Sequence, residues 1–309
     1  GLLIISHQLQ LLRQLTDRVL VVDEGIIAEE GPTTEVLNGA TAKASATRRL
    51  LAVERCTTYV RSKDSAQSRP SATPSSASLT LLQVKNAAKR IGGQRLGFPD
   101  LTLRDGERLG LFGASGCGKT TFARAILALT SLDQGSLNRF GNPLWQNNPA
   151  ANQRSKLWRR LQFVPQDADL LFDPQGTLGE SLAAAVKAFT PLLTNREAWR
   201  LCGNLIGLLH LPSSLLFAPP GSLSGGQRKR AALARSLAAV GFLQSNHLQD
   251  SRVVILDEPT VGIDLFLQAV MAETLLAAQQ EAKLTYLVIS HDRRFLDRFC
   301  SRQIEFPST

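Results

Sequence analysis

Cysteine is scarce in this chain, and the few that it has are scattered. Cys56, Cys117, Cys202 and Cys300 show no spacing that would hold a metal ion or suggest a disulfide framework. We therefore expect reduced thiols, as is usual in a reducing compartment. For Cys117 two interpretations stay open: an oxidation-sensitive thiol, or a small residue that fits its place.

Long hydrophobic runs are also missing. Hydrophobic residues make up 43% of the chain, as in ordinary globular proteins, but no stretch approaches the ~18 residues that a membrane span requires. The apolar start GLLII is too short for a signal peptide, and no basic segment precedes it. We expect a cytoplasmic protein, so that any membrane pore would have to come from other chains.

Acidic residues are outnumbered by basic ones. The chain has 35 Lys and Arg against 26 Asp and Glu, a formal net charge of +9. A basic balance permits binding to nucleic acid or to an anionic lipid surface. The cations are spread over several segments, among them 154–160 and 228–230. We interpret most of this charge as solvated surface and expect no nucleic-acid partner.

The most informative motif is LFGASGCGKTT, which runs from Leu111 to Thr121. It fits the phosphate-loop pattern of Gly, four residues, Gly, Lys, then Ser or Thr. Its glycines let successive N–H groups turn toward phosphate oxygens, and the next helix presents its positive dipole end to the same anion. Lys119 is placed to neutralise the outer phosphates and Thr120 to ligate Mg²⁺. The expected nucleotide-binding residues are Gly113, Ser115, Gly116, Cys117, Gly118, Lys119, Thr120 and Thr121.

A second motif places two acids at the end of an apolar run. VVILDEP (253–259) predicts a strand that is covered on both faces and ends on Asp257 and Glu258. In open α/β sheets, ligands gather at this end of the strands. One acid would hold the Mg²⁺ shell, and the other would polarise an attacking water.

Three more segments carry polar groups suited to the same chemistry. LSGGQ (223–227) puts Ser and Gly at a predicted helix start, which suits close approach to phosphate. Gln166 follows the apolar run 161–165 and offers an amide to metal or water. His291 follows another apolar run and offers an imidazole to a γ-phosphate.

These motifs resemble, in kind and in order, those of the ATP-binding cassette (ABC) ATPases. The resemblance covers residues 79–309 and includes an Asp-containing loop, 260–264. It implies an α/β fold, a P-loop NTPase cassette with a mixed core sheet, an antiparallel β subdomain and a helical signature subdomain. Carried over by position, it implies catalytic roles for Glu258 (general base), His291 (γ-phosphate sensor) and Gln166; Mg²⁺ held by Thr120, Gln166 and Asp257; and Asp264 as the residue of the Asp-containing loop.

The resemblance also implies partners. The signature of one cassette, here Ser224, Gly225, Gly226 and Gln227, would contact ATP held by a second cassette, either in a homodimer or in a missing upstream cassette. Transmembrane permease subunits and, indirectly, an extracytoplasmic substrate-binding protein would complete the assembly. ATP and Mg²⁺ would be the cofactors, and the location would be peripheral, on the cytoplasmic face of the inner membrane. TRRLLAVE (47–54) and DPQGTLGESL (173–182) resemble the branch that imports dipeptides, oligopeptides or nickel.

The start of the chain repeats its end. Residues 2–22 align without gaps on 286–306 at a shift of 284 residues, which brings His7 onto His291. We expect 1–55 to be the C-terminal remnant of an upstream cassette, with His7 not catalytic, a hairpin over 19–32 turning at Glu24–Gly25, and a short helix near 34–37. The single methionine, Met271, fits a truncated start. Residues 56–78 are expected to be a flexible Ser/Pro/Ala-rich linker, and 79–309 the ATPase domain, short at its C-terminus.

The expected elements of the ATPase domain follow from its apolar runs. We predict antiparallel strands within 79–112, core strands at 108–113, 161–165, 253–257 and 285–290, helices at 177–189 and 196–211, and a surface loop at 240–250.

One feature departs from the family pattern. The region NAAKRIGGQ (86–94) has no aromatic residue to stack on adenine, so Arg90, Ile91 or Phe98 would have to cover the base. Three functions are open: the ATPase subunit of a peptide or nickel importer, a soluble tandem ABC protein acting on ribosomes or nucleic acid, and a non-catalytic nucleotide-binding module. The polar, flexible linker and the importer-like segments favour the first.

Overall fold

The computed structural model describes residues 3–4, 9–23, 26–38, 41–44, 47, 51, 79–114, 116–242 and 250–307. Their contacts group into two compact units, one within Gly1–Thr73 and Ile263–Val270, the other within Pro74–Gly262 and Met271–Thr309. The linker expected at 56–78, His7 and most of the loop expected at 240–250 lie outside the described residues. The predicted domain boundaries therefore stay predictions.

The smaller unit contains an antiparallel hairpin. Its elements are α1 (Leu9–Leu15), β1 (Arg18–Asp23), β2 (Ile26–Pro32) and α2 (Thr33–Val36). Along β1, Val19 and Val21 are buried whereas Leu20 and Val22 are exposed, the two-residue period of a strand with one covered face. The hairpin and the short helix are confirmed, and the turn expected at Glu24–Gly25 lies outside the described residues.

The larger unit begins with an antiparallel sheet. Strand β3 pairs with β4, β5 and β7, and the strands are β3 (Thr80–Ile91), β4 (Gln94–Gly97), β5 (Leu101–Arg104) and β7 (Gln134–Arg139). The first three lie within 79–112, as predicted. The last comes from beyond the phosphate loop, and the sequence pattern did not predict it.

A parallel sheet forms the core of the larger unit. Its strands are β6 (Arg108–Phe112), β8 (Leu161–Val164), β9 (Arg252–Asp257), β10 (Leu284–Ser290) and β11 (Arg302–Glu305). Within the described part of the chain the order is β11-β6-β10-β9-β8, and every pair is parallel. The predicted core strands are confirmed to within one residue. The resemblance implies a mixed core sheet, but the antiparallel pairs belong to the separate sheet around β3.

Two helices of the insert after β8 begin at capping boxes. Thr177 accepts a hydrogen bond from Glu180 N, and the Glu180 carboxylate accepts one from Thr177 N. Thr194 and Glu197 repeat the arrangement. The helices are α5 (Leu178–Phe189) and α6 (Asn195–Leu208). They confirm the predictions at 177–189 and 196–211, except that α6 ends earlier, before His210 with its φ of +51°.

The larger part of the chain contains five further α-helices among the described residues. They are α3 (Lys119–Ile126), α4 (Ala151–Trp158), α7 (Gly225–Ala239), α8 (Leu265–Ala282) and α9 (Arg293–Phe299). Among the helices described, none is both long enough and apolar enough to cross a membrane.

An aromatic cluster supports the helix that follows the phosphate loop. The ring of Phe122, on α3, lies 5.0 Å from that of Phe98 and 5.8 Å from that of Phe306, centroid to centroid. All three residues are buried. Tilted and edge-on aromatic pairs at these distances add to the stability that burial alone provides, so α3 is anchored close to the loop that precedes it.

Candidate nucleotide site

The phosphate loop lies between the end of β6 and the start of α3, as its motif requires. Gly116 and Gly118 have φ values of +84° and +99°, in the left-handed region that side chains disfavour. Gly118 is the N-cap of α3, so the first N–H groups of the helix face the loop. Thr121 belongs to the first turn of α3, whereas Ser115 lies outside the described residues.

Lys119 is buried, and the loop itself holds its ammonium. Lys119 Nζ donates to Gly113 O at 2.8 Å and to Ala114 O at 2.7 Å. At Gly113, an added Cβ would lie 2.7 Å from Phe306 Cβ and 3.0 Å from Cys117 Sγ, so crowding by these side chains requires glycine. Cys117 is buried, which supports its interpretation as a small residue that fits.

Thr120 meets the acidic end of β9. Thr120 Oγ1 donates to Asp257 Oδ2 at 2.8 Å, although 137 residues separate them in the chain. Asp257 is only 1% exposed. Burial raises the pKa of its carboxyl above the ordinary 3.8, and the hydrogen bond from Thr120 acts in the opposite direction. The structure thus joins two of the three predicted Mg²⁺ ligands.

Glu258 follows directly and is held by the end of β10. Its carboxylate accepts hydrogen bonds from Ser290 Oγ at 3.0 Å and from His291 N at 3.1 Å, and His291 Nδ1 lies 2.9 Å from Oε1. Glu258 itself is buried, whereas the His291 side chain is 62% exposed. The two residues predicted for base and phosphate sensor are therefore in direct contact. Ser290, which sequence reasoning did not single out, is a third member of the group.

Gln166 and Asp264 are both exposed. Gln166 follows β8, whose Val164 pairs with Leu256 of β9, so it lies at the sheet edge that also bears Asp257. Asp264 caps α8, since its Oδ1 accepts from Leu267 N at 2.9 Å. The structure gives Asp264 a capping function, and its family role stays a prediction.

The signature forms the N-terminus of α7. Ser224 is the N-cap, and its hydroxyl accepts from Gln227 N while Gln227 Oε1 accepts from Ser224 N at 2.9 Å. Ser224 and Gly225 are exposed, and Gly226 is partly so. A Cβ at Gly225 would meet no described atom within 4 Å. The N-terminal end of α7 is therefore open on its outer side.

The residues considered for covering adenine differ in their exposure. Phe98 is only 5% exposed and packs on Phe122, so its ring belongs to the core and Phe98 is no longer a candidate to cover adenine. Ile91 is 46% exposed and stays a candidate beside Arg90. Leu96 lies beside the phosphate loop, since its Cδ1 would be 3.3 Å from a Cβ added at Gly118. No sequence pattern pointed to this residue.

The three cations after the signature are held by other parts of the chain, so they are exceptions to the interpretation of most of the charge as solvated surface. Arg228 Nε lies 3.4 Å from Asp169 Oδ1, and Arg230 Nη1 donates to two carbonyls at the end of α6. Lys229 Nζ donates to Glu258 O at 3.1 Å. Helical geometry sends successive side chains in different directions, so three adjacent residues contact three separate parts of the larger unit.

Comparison with known proteins gives the class. The profile of the ABC transporter family matches residues 98–261. The nickel import ATP-binding protein NikE of Shigella dysenteriae is 36% identical over 202 residues, which cover 65% of this chain and 70% of NikE.

Solved structures agree on the fold. The ATP-binding cassette MJ0796, in a dimeric post-hydrolysis state bound to ADP and Pi, has a TM-score of 0.62 at 22% identity, covering 73% of this chain and 94% of that one. CbiO1 from Clostridium perfringens has a TM-score of 0.59 at 22% identity, covering 74% of this chain and 85% of that one.

The chain belongs to the ABC transporter family, because the family profile covers more than half of it. Within that family it is an ATPase cassette, the part of the transporter that binds and hydrolyses ATP. Both the fold and the order of its motifs agree with this assignment.

Proposed function

We propose that this chain powers an importer of the kind that moves nickel or short peptides, by hydrolysing ATP at the phosphate loop. The observation that carries the proposal is the convergence of the loop with two strand ends. Thr120 bonds to Asp257, and Glu258 bonds to His291. Segments far apart in sequence thus bring together the kinds of group that phosphoryl transfer requires.

Mg²⁺ fits the residues present. Thr120 and Asp257 offer hard oxygen donors of the type that Mg²⁺ takes, with the amide of Gln166 on the same sheet edge. Because burial disfavours the Asp257 carboxylate, a cation beside it would stabilise the charged form. When bound, Mg²⁺ would neutralise phosphate charge.

Hydrolysis would use this chain's groups in the following way. The N–H groups of the loop and Lys119 would hold the β- and γ-phosphates and stabilise the charge that develops on them. Glu258 would orient a water in line with the γ-phosphorus and accept its proton, as the new P–O bond forms and ADP leaves. His291, in contact with Glu258 through Nδ1, would fix the carboxylate and approach the γ-phosphate.

A second cassette would complete the site. Ser224, Gly225, Gly226 and Gln227 form the open start of α7, where a helix dipole and free N–H groups favour an anion. We propose that they contact ATP held by another cassette, in a homodimer or in an upstream cassette. Support comes from MJ0796, described as a dimeric cassette.

Residues 1–55 are proposed to be the end of such an upstream cassette, followed by a linker at 56–78 and the ATPase domain at 79–309. The secondary structure supports the repeat: at the shift of 284 residues, α1 (Leu9–Leu15) corresponds to α9 (Arg293–Phe299), end to end. Arg18 and Arg302, which open β1 and β11, correspond as well.

Cargo, partners and location are part of the proposal. NikE is described as a nickel import protein, and the segments 47–54 and 173–182 favour the same branch. Movements of the cassettes would be transmitted to permease subunits, and a substrate-binding protein would take part indirectly. The chain would lie on the cytoplasmic face of the inner membrane.

ATP hydrolysis across a protein concentration series tests this function. Wild type, Glu258→Gln and Lys119→Ala would be compared with Mg²⁺ present. We expect specific activity to rise with protein concentration and to vanish in Glu258→Gln, while this variant still binds ATP. Binding without hydrolysis in the wild type, at all concentrations and with permeases added, would favour the non-catalytic module instead.

A further inference from the structure

Lys229 makes a contact that has no part in the proposed steps of hydrolysis. It lies on α7, two residues beyond the signature, and donates from Nζ to the main-chain O of Glu258 at 3.1 Å. Burial lowers the pKa of Lys229, and the carboxylates of Glu258 and Asp257 oppose that shift. A surface lysine has little reason to be held in this way, because its ammonium is well solvated in water.

The peptide that Lys229 contacts is strained. Glu258 has a φ of +48°, in the left-handed region that a residue with a Cβ avoids unless its surroundings impose it. Glu258 N donates to Ile289 O at 2.8 Å, and Ser290 and His291 hold the carboxylate. All of these contacts come from β10 and its C-terminal end.

The carbonyl of Glu258 is held from elsewhere. Lys229 reaches it from α7, and Val261 N approaches it only at 3.5 Å, a distance at which a hydrogen bond is weak. The direction of this carbonyl depends on the backbone angles that also aim the Glu258 side chain. A charged donor that holds this carbonyl therefore also helps to fix the orientation of the Glu258 carboxylate.

We propose that Lys229 is a positioning residue for Glu258, which ties the strained peptide at the acidic strand end to the signature helix. The inference rests on the proposed role of Glu258 as base. The start of α7 is the surface proposed to contact ATP on a second cassette. If α7 moves when that contact forms, the movement would be transmitted through Lys229 to Glu258 of the same chain. Lys229 would thus link the two nucleotide sites of a dimer.

A purely structural role for Lys229 predicts a different result. If Lys229 only packed α7 on the sheet, its removal would lower stability and weaken ATP binding and turnover together. A positioning role predicts a lower kcat with an unchanged ATP dissociation constant, because the loop that binds the phosphates is untouched.

The experiment compares Lys229→Met, Lys229→Arg and the matched control Lys156→Met, an exposed lysine on α4. We expect kcat to fall about tenfold in Lys229→Met, as for loss of a hydrogen bond from a charged donor. The ATP dissociation constant should stay within about twofold, Lys229→Arg should restore part of kcat, and Lys156→Met should match wild type.

Hydrogen exchange gives a second readout that needs no turnover. The peptide covering 257–262 should exchange faster in Lys229→Met than in wild type or in Lys156→Met. Unchanged kcat and unchanged exchange would overturn the inference, and so would a parallel loss of ATP binding and kcat. Full hydrolysis by Glu258→Gln would instead overturn the proposed base, and the exchange data would still show whether Lys229 holds this peptide.

Discussion

Replacing Arg139 with leucine should destabilise the folded chain, because this side chain closes the C-terminal end of the phosphate-loop helix. Arg139 lies on β7 and is 0% exposed. Its Nε donates to Ile126 O at 2.6 Å and its Nη2 to Ala125 O at 2.5 Å, at the end of α3. Its Nη1 donates to Trp145 O at 2.7 Å and to Asn147 O at 3.1 Å.

Two opposing contributions set the size of the destabilisation in Arg139→Leu. Burial lowers the pKa of Arg139 from 12.5 to about 10, so keeping the guanidinium charged costs on the order of 3 kcal/mol at ~1.4 kcal/mol per pKa unit. In Arg139→Leu, Ala125 O keeps a donor, because it also accepts from Ala128 N at 3.0 Å. The other three carbonyls, of Ile126, Trp145 and Asn147, lose the donor that Arg139 provides. At about 2 kcal/mol each the loss is ~6 kcal/mol, which leaves a net destabilisation of about 3 kcal/mol.

Urea unfolding of wild type, Arg139→Leu and Arg139→Lys measures this difference. An unchanged m-value would show that the folded and unfolded states are comparable. We expect Arg139→Lys to be intermediate, because lysine keeps the charge but lacks the planar set of donors. A leucine variant as stable as wild type, or more so, would show that desolvation of the guanidinium outweighs its hydrogen bonds.

Three further predictions concern single contacts. Gly135→Ala should lower the free energy of unfolding by about 3 kcal/mol, since φ is +78° and the new Cβ would lie 2.3 Å from Asn86 O; a loss below about 0.5 kcal/mol in urea unfolding would contradict this backbone conformation. The N–H and hydroxyl of Thr177 lower the pKa of Glu180, so this cap stabilises the fold above the ordinary carboxyl pKa and loses that effect as pH falls. The Tm advantage of wild type over Glu180→Gln should therefore shrink toward about pH 3, and a pH-independent difference would argue against the charged cap. Partial burial raises the pKa of the Cys300 thiol to about 12, so this thiol should react slowly with an alkylating reagent at about pH 8 until the protein is unfolded; rapid native labelling would refute the raised pKa.

The parts of the site that depend on local pattern could be predicted from the sequence. Asp257 and Glu258 end a run of apolar residues, and a buried parallel strand produces that pattern directly. The phosphate loop is likewise contiguous, and Gly116 and Gly118 occupy left-handed positions that favour glycine. Segments that are contiguous in the chain can therefore be assigned to strand, loop and helix from the order of their residues alone.

Other features depend on contacts between distant segments. Phe98 was a candidate for the adenine site, but its ring packs on Phe122 and Phe306, and the sequence does not show that these three meet. Lys229 lies in a basic run that the sequence alone suggests is solvated. Its partial burial and its contact with Glu258 follow from the placement of α7 beside the end of β9, which only tertiary packing decides.

Arg139 shows the same limit within a strand. An arginine on a short and mostly polar strand, QGSLNR, is expected to be exposed. Its burial is possible because backbone carbonyls from the end of α3 and from the turn after β7 converge on one guanidinium. Carbonyl directions leave no mark in the order of residues, so this cluster had no sequence signal.

Titration of Mg²⁺-ATP into wild type and Lys119→Ala, followed by equilibrium binding, tests the central claim most directly. Lys119 Nζ is held by Gly113 O and Ala114 O, where an entering phosphate would compete for it. The account predicts saturable binding to wild type and at least about 100-fold weaker binding to the variant, as expected for loss of charge-assisted hydrogen bonds, with both proteins folded by circular dichroism. Equal affinities would place ATP away from this loop and contradict the account.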